Sequence, residues 1–195
     1  MNVRDLLLDA AARVYAESGY RGATTRRIAE AAGVNEITLF RHFGSKEALL
    51  TEAVARAGAE MQSITLPEDP RDPEAELLVW ARAHLTRMSG RRAFIRVCMG
   101  EMQEHPDMFA AVDKPPERAA AVLARYLRKL RQTGATTAAF DERAAAAMLM
   151  GTLFGDAMGR DIMPGLFARG VETPLREYIR LFLRAVGVAP RGPDA

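Results

Sequence analysis

Three arginines, Arg26, Arg27 and Arg41, stand close together near the start of the 195-residue chain. An arginine guanidinium can clamp a phosphate group, or it can read guanine O6 and N7 through two parallel hydrogen bonds. A solvated helix face is the ordinary explanation for an isolated arginine, and it stays open for each of the three. Contact with a nucleic acid is therefore one hypothesis, and it depends on the elements that carry these side chains.

The stretch over residues 23–49 predicts two short helices joined by a tight turn, followed by the start of a third helix. Thr24 and Thr25 are candidate N-caps, because a hydroxyl there can accept a hydrogen bond from an unpaired amide of the first turn. Gly33 can end the first helix, since glycine adopts positive φ readily. Asn35 can cap the second helix. This order is typical of a helix-turn-helix motif, whose second helix lies in the DNA major groove.

The residues TT-x-x-IA-x-x-AGV, followed by LF-x-HF-x-SKE-x-L, resemble the DNA-binding domain of the TetR/AcrR family of bacterial transcriptional regulators. The resemblance is specific because the spacing, the turn glycine and the HF-x-x-K ending occur together. It makes Gly33–Val34 the turn and Asn35–Arg41 the recognition helix. It also implies phosphate contacts around Thr25, Phe40, His42 and Lys46. The family usually carries Tyr where this chain has Phe40, so a hydroxyl that could donate to a phosphate is missing.

The first residues of the recognition helix are the expected readers of base edges. They are Asn35, Glu36, Ile37 and Thr38. Glu36 can accept a hydrogen bond from cytosine N4, Thr38 can bond a base or a phosphate, and Ile37 can pack against a thymine methyl group. Capping and simple exposure are the alternative explanation for these four residues.

Composition sets wider limits on the function. The net charge of +2 does not by itself indicate a nucleic-acid partner, although the whole excess lies in residues 1–46. Cys98 is the single cysteine, which excludes an intramolecular disulfide framework and a multi-cysteine metal site. The start of the chain lacks the pattern of a secretory leader, and no run of about 20 apolar residues suggests a bilayer span. We expect a soluble cytoplasmic protein without a membrane partner.

Residues of catalytic or metal-ligating type do not form a recognisable constellation. His84 and His105 have no second histidine at i, i+4 and no surrounding carboxylate–histidine pattern of metal-ligand type. Cys98 has no histidine near it in sequence and is expected to be a packed thiol. The stretch GTLFGDAMG lacks the lysine and the preceding strand of a phosphate-binding loop. We expect no catalytic site, cofactor or metal, and keep an enzyme or carrier as a remote alternative.

Apolar spacing predicts an all-α fold of about nine helices. Besides the two helices of the motif, helices are expected at residues 3–18, 46–61, 74–89, 92–104, 116–132, 141–158 and 174–186. The proline-rich segment 66–73 interrupts this pattern. We interpret this segment as a domain boundary. By residue ranges, we predict a helix-turn-helix DNA-binding domain over residues 1–47, a ligand-binding and dimerisation domain over 48–190, which contains the proline-rich break, and a disordered tail over 191–195. A surface loop inside one domain is the alternative explanation for the proline-rich segment.

The resemblance also implies a four-helix interface made of the last two helices from each subunit. We expect it at Ala147, Gly151, Leu175, Tyr178, Ile179, Phe182, Leu183 and Val186. Small residues let helices approach closely and apolar residues supply burial, although a core within one subunit would explain the same pattern. A dimer is favoured independently, because one short recognition helix contacts too few bases, whereas two subunits can read a palindromic operator.

A ligand cavity among the middle helices is implied as well. Its candidate lining residues are Trp80, His84, Met88, Phe94, Cys98, Met102, His105, Phe109 and Phe154. Each of them, taken singly, can equally be a core residue, but methionine and flat aromatic rings suit a largely apolar small molecule. The sequence thus predicts a ligand-responsive homodimeric repressor, released from its operator by a small molecule. A DNA-binding regulator or activator without an effector is the alternative.

Overall fold

The computed structural model describes residues 2–59, 64–110, 114–136, 138–167 and 170–189. Its helices are α1 Val3–Gly22, α2 Thr25–Ala32, α3 Glu36–Phe43, α4 Lys46–Ala59, α5 Pro73–Gly90, α6 Arg92–Glu101, α7 Pro106–Ala110, α8 Pro115–Gln132, α9 Glu142–Gly159 and α10 Glu172–Ala185. The residues described contain no strand, only an isolated antiparallel bridge between Thr136 and Val188. The predicted all-α fold is confirmed, and the short α7 is the helix that the sequence did not predict.

The helices form two compact units. Residues 1–61 and 91–114 form the first unit, which holds α1–α4, α6 and α7, and residues 62–90 and 115–195 form the second, which holds α5 and α8–α10. The α6–α7 segment thus groups with the N-terminal helices, although it follows α5 in sequence. The predicted division into domains at residues 47/48 stays a prediction. The predicted tail, 191–195, lies outside the described residues.

The first unit is built on α1, which packs against α2, α4 and α6. Leu7, Ile28, Leu39 and Leu50 are fully buried in its core. They come from α1, α2, α3 and α4 respectively, so each of the four helices contributes its apolar stripe to one cluster. This shared core fixes the orientation of the two motif helices.

The second unit packs α9 against α5 and α8, and α10 against α5. The N-terminus of α5 is closed by Asp72, whose carboxylate accepts from the Ala75 N–H at 3.1 Å, and by Glu76, whose Oε1 accepts from the Asp72 N–H at 2.9 Å. Tyr126 of α8 donates to the other oxygen of Glu76 at 2.5 Å. The cap therefore also ties α8 to α5. Over the described residues, every helix is too short or too polar to cross a membrane.

Candidate functional site

The turn between α2 and α3 is built from local hydrogen bonds. Thr24 is the N-cap of α2, and its hydroxyl accepts from the Arg27 N–H at 3.3 Å. Gly33 ends α2 with φ 69° and ψ 30°, the left-handed region that favours glycine. The Val34 N–H then donates to the Ala29 carbonyl at 3.0 Å, which closes the turn. The predicted turn is confirmed, and Thr24 is the cap of the two threonines considered.

Helix α3 is held against the core by one face. Asn35 caps it by accepting from the Ile37 N–H at 2.9 Å, as predicted, and Gly44 follows its last residue with φ 74°. Leu39 is fully buried, and Phe43 packs against the same core cluster. The opposite face of α3 is consequently left to solvent.

That solvent face carries most of the predicted recognition residues. Ile37 is 68% exposed and Phe40 is 47% exposed. Asn35, Arg41 and His42 are exposed beside them. Among the described residues, Arg41 has no hydrogen-bond or ion-pair partner, so its guanidinium is available to an outside anion or base. An exposed face with apolar groups, one amide and one available cation matches what a DNA groove accepts.

Thr25 and Glu36 are both predicted to contact DNA, and their side chains are hydrogen-bonded to each other. The Thr25 hydroxyl donates to Glu36 Oε1 at 2.5 Å, and both side chains are half-buried, as is that of Thr38. A hydroxyl has one proton to donate. Thr25 can therefore donate to a phosphate only if it leaves Glu36, and the Glu36 carboxylate then needs another donor, such as cytosine N4.

The two neighbouring arginines of α2 differ in their contacts. Arg26 is exposed, and its Nε lies 3.0 Å from Glu30 Oε1, a surface pair one helical turn apart. Such a pair contributes little, so Arg26 can exchange it for a phosphate at low cost. Arg27 donates from Nη1 to the Gly22 carbonyl at 2.9 Å, which braces the start of α2. Their DNA roles stay predictions, and Arg27 already has a structural role.

Lys46, at the start of α4, is anchored by a residue that the sequence did not single out. Its Nζ donates to the Tyr20 carbonyl at 2.5 Å and lies 4.1 Å from the centre of the Tyr20 ring. Burial lowers the pKa of Lys46, and the carboxylates of Glu47 and Glu101 oppose this shift. Burial also raises the pKa of Tyr20 to about 12, as does its hydrogen bond to Glu47 at 2.7 Å.

Tyr20 also joins α1 to the end of α6. Gly19 kinks α1 with φ 67°, and the freed Tyr20 N–H donates to Glu101 Oε1 at 2.9 Å. The His105 ring lies 3.9 Å from the Tyr20 ring. Tyr20 and Glu101 are separated by 81 positions in the sequence, which explains why no local pattern predicted this contact.

Glu101, Glu104 and His105 bring three potential metal-ligand atoms within 4.8 Å of one another, a grouping that the sequence analysis did not recognise. Glu101 already accepts from Tyr20 and lies 3.5 Å from His105 Nε2, while Arg21 lies 3.9 Å from Glu104. Protein donors and cations therefore account for these carboxylates, and we assign no metal to them.

The nine predicted ligand residues are divided between the two units. The first unit contains Phe94, Cys98, Met102, His105 and Phe109, and the second contains Trp80, His84, Met88 and Phe154. In the first unit, Phe94, Cys98 and Phe109 pack against the core of the motif helices. Burial raises the pKa of the Cys98 thiol to about 12, so the thiol stays protonated near neutral pH.

In the second unit, two ring nitrogens of α5 are buried and have no hydrogen-bond partner among the residues that the structure describes. They are Trp80 Nε1 and His84 Nε2, in residues that are 1% and 7% exposed. The ring centres lie 4.3 Å apart. Burial, together with the charge of Arg87, lowers the pKa of His84 to about 4, so its imidazole is neutral near pH 7. Buried polar groups are rarely left unsatisfied, so a water molecule or a ligand is the expected partner of these two nitrogens.

Five of the eight predicted interface residues are buried inside their own subunit: Leu175, Ile179, Phe182, Leu183 and Val186. Their stripe on α10 packs within the second unit. Ala147 and Gly151 of α9 are exposed and Tyr178 of α10 is half-buried, so these three remain accessible. A subunit interface stays a prediction, and it has to use exposed faces of α9 and α10.

A capped pair of short helices on a shared core, with the outer face of the second helix exposed, defines a helix-turn-helix DNA-binding protein. Residues 7–53 match the family described as bacterial regulatory proteins, tetR family. These residues therefore belong to the TetR family, which makes the chain a transcriptional regulator with a TetR-type DNA-binding domain.

Two similar proteins and one similar structure match this chain over different lengths. The uncharacterized HTH-type transcriptional regulator YvkB of Bacillus subtilis is 29% identical over 149 residues, which cover 76% of this chain and 78% of YvkB. The HTH-type transcriptional repressor AcnR of Corynebacterium efficiens is 44% identical over 69 residues, 35% of this chain and 36% of AcnR. A structure from Mesorhizobium loti, described as a TetR-family regulator, has the same fold, with a TM-score of 0.75, 24% identity, and coverage of 95% of this chain and 97% of that one.

Proposed function

We propose that this regulator is a repressor that binds a palindromic operator as a homodimer and is released by a small molecule. DNA binding is proposed from the exposed face of α3, on which Arg41 has no hydrogen-bond or ion-pair partner among the described residues. The AcnR protein, which is 44% identical over 69 residues of this chain, is named a repressor, and this supports the direction of control proposed here.

In this proposal the DNA contacts divide by position along the motif. Asn35, Glu36, Ile37 and Thr38 face the base edges, and Arg41 contacts a base or phosphate farther along α3. Phosphate contacts come from Thr25, Arg26, Arg27, Phe40, His42 and Lys46, with Phe40 contributing van der Waals contact only. Phosphate contacts give affinity and register, whereas base contacts give sequence preference.

Two exposed stripes of the second unit support the homodimer. On α9, Ala144, Ala147, Met148, Gly151 and Thr152 lie exposed at helical spacing and carry no charge. On α10, Pro174, Tyr178, Leu181 and Ala185 recur at i, i+4, i+7 and i+11. Pro174 and Tyr178 are half-buried, whereas Leu181 is 59% exposed and Ala185 is exposed. An uncharged helix face with small residues allows a close approach to another helix. We assign the subunit interface to these two stripes.

The effector is proposed to bind in the second unit beside Trp80 and His84. Both rings have a buried nitrogen that no described residue bonds, and Met88 lies on the same face of α5. A largely apolar ligand that carries an oxygen can accept from Trp80 Nε1–H and bond His84 Nε2. Met88 can adapt its shape to the apolar part.

Release from DNA then follows from a shift between conformations. The ligand can weaken operator binding only by the difference between its affinities for the DNA-competent form and for another form. Satisfying Trp80 and His84 in one form alone would supply such a difference, since an unsatisfied buried polar group is costly.

The test combines a ligand screen with a transcription assay. Compounds that raise the melting temperature by mass action would be titrated while the fluorescence of Trp80, the only tryptophan, is recorded. The proposal expects a hit to change Trp80 fluorescence and to restore transcription in vitro from a promoter that contains the selected operator. Transcription that stays repressed with saturating ligand, or that the protein never represses, would contradict it.

A further inference from the structure

A groove between the start of α5 and α10 is separate from both sites described above. It has a volume of about 540 Å³, within the range of small-molecule sites. Leu78 and Val79 line it from α5, and Arg176, Arg180, Leu183 and Arg184 line it from α10. Neither Trp80 and His84 nor any residue of the helix-turn-helix contributes to its wall. Neither DNA nor the ligand proposed beside Trp80 therefore accounts for the residues that line this groove.

One wall of the groove is a row of arginines. Arg176, Arg180 and Arg184 recur at i, i+4 and i+8, so they lie on one face of α10. Arg180 is paired with Glu74 at 3.0 Å. Arg176 lies 3.9 Å from Glu172, a carboxylate that Arg82 already bonds. Arg184 is exposed, and no carboxylate among the described residues pairs with it. The positive charge of this wall is thus least compensated at Arg184.

The floor of the groove and part of its α5 wall are apolar. Leu78, Leu183 and Val188 are buried beneath the groove, whereas Val79 is 64% exposed although it lines the groove. A molecule placed there would cover Val79, which is favourable in proportion to the apolar area removed from water. Asp72 and Glu74 lie at the α5 end of the groove. They repel an anion from that end and so favour its placement near Arg184.

We infer that this groove binds a small amphipathic anion, a carboxylate or phosphate ester on a compact apolar body. The anionic group bonds the Arg184 guanidinium, whose planar fork matches two oxygens of either group, and Arg176 adds charge. The apolar body covers Val79 and lies on Leu78 and Leu183. The groove is a second binding site of the chain, and its occupation requires neither DNA nor the ligand beside Trp80.

The experiment is a calorimetric titration of the full chain, without DNA, with two probes, octanoate and phenyl phosphate. We expect one saturable site per chain for at least one probe, with a Kd of about 1 mM or tighter. Inorganic phosphate and phenol each carry half of the required chemistry, and we expect each to bind at least about tenfold more weakly than phenyl phosphate. If octanoate alone binds, the site selects carboxylates; if phenyl phosphate alone binds, it selects phosphate esters.

Two variants test the two walls of the groove. Arg184→Gln should raise the Kd about tenfold or more, and Val79→Ser about threefold. Arg125→Gln, an exposed arginine of α8 outside the groove, is the matched control and should change the Kd less than about twofold. Because Arg184 and Val79 are exposed and Arg184 has no ion pair among the described residues, their melting temperatures should match that of the unmodified chain.

Several outcomes would overturn the assignment. They are saturation by neither probe, equal binding of inorganic phosphate, and an unchanged Kd in Arg184→Gln. Probe binding that persists in Arg184→Gln but changes Trp80 fluorescence would place the probe beside Trp80 instead. An affinity that falls as protein concentration rises would mean that a second copy of the chain covers the groove, which also contradicts the ligand assignment.

Discussion

At the recognition helix, existing contacts decide what each side chain can offer to DNA. Thr25 and Glu36 are engaged with each other, Arg27 braces a backbone carbonyl, and Arg26 has only a surface ion pair. Arg41 differs from them because no described residue forms a hydrogen bond or an ion pair with its guanidinium. Replacing it should therefore remove a DNA contact and little else, which makes it the most informative single substitution.

Arg41→Ala should weaken binding to operator DNA selected from a random pool by about 1–3 kcal/mol if the guanidinium reads a guanine. Fluorescence anisotropy measures this loss, and binding to a scrambled duplex should fall much less. Arg125→Ala, in the second unit, serves as the control and should leave both affinities unchanged. An unaltered operator affinity in Arg41→Ala would remove Arg41 from the interface.

Phe40→Tyr should hold or increase operator affinity, by up to about 1 kcal/mol, because the added hydroxyl can donate to a phosphate. The ring is already 47% exposed, so the hydroxyl needs no new space inside the core. Anisotropy at several salt concentrations measures the effect. A loss of affinity without a loss of folding would show that the ring edge faces the DNA too closely to admit an oxygen.

At the scale of the helices, α10 has distinct faces with distinct tasks. Leu175, Ile179 and Phe182 form its buried face, and the exposed stripe with Tyr178 and Leu181 lies beside them. Neighbouring positions on this helix should therefore respond differently to the same substitution. The contrast between Leu181 and Phe182 separates subunit association from folding.

Leu181→Glu should yield folded monomers at micromolar concentration, because it places a charge in the proposed interface. Phe182→Glu should instead lower the melting temperature sharply, since the side chain is buried in its own subunit. Analytical ultracentrifugation and thermal denaturation distinguish the two results, with Arg125→Glu as a surface control. A Leu181→Glu protein that remains dimeric would place the interface on other faces.

The sequence was sufficient where the relevant interactions are local. Gly33 and Asn35 act within a few residues, so the turn and the cap of α3 could be predicted from residue type and spacing. Helical periodicity also identified the apolar stripe of α10, but it could not decide whether Phe182 faces its own subunit or a partner. The Tyr20–Glu101 and Thr25–Glu36 hydrogen bonds depend on tertiary packing, so residue spacing could not predict them.

At the scale of the whole molecule, the chain passes between its two units more than once. The first unit is completed by residues 91–114, and Phe94 and Cys98 from that segment pack on the core of the motif helices. The helix-turn-helix therefore depends on residues far along the chain for part of its core. In the second unit, stability depends on pH, because His84 is buried there in its neutral form.

The stability of the protein should fall as pH decreases from 7 to 5, by about 2 kcal/mol from His84 alone. Its folded pKa, about 4, lies below the ordinary value of 6.5, so the unfolded chain binds the proton more tightly. The contribution of neutral His84 to the free energy of unfolding is complete above pH 6.5 and is lost progressively toward pH 4. Urea unfolding at pH 7 and pH 5 measures it.

His84→Gln provides the comparison for that measurement, because glutamine stays neutral over the same range. The variant should lack this part of the pH dependence, while the other histidines contribute equally to both proteins. Identical pH dependence in the two proteins would show that His84 is protonated equally well in the folded and unfolded chains.

The exposed face of α3 is proposed to read a specific DNA sequence. The most direct measurement is fluorescence anisotropy with duplex DNA selected from a random pool, compared with a scrambled duplex at physiological salt. The proposed function predicts binding to the selected DNA about 10³-fold tighter or more, with two chains on each palindrome. Equally weak binding to both duplexes would contradict it.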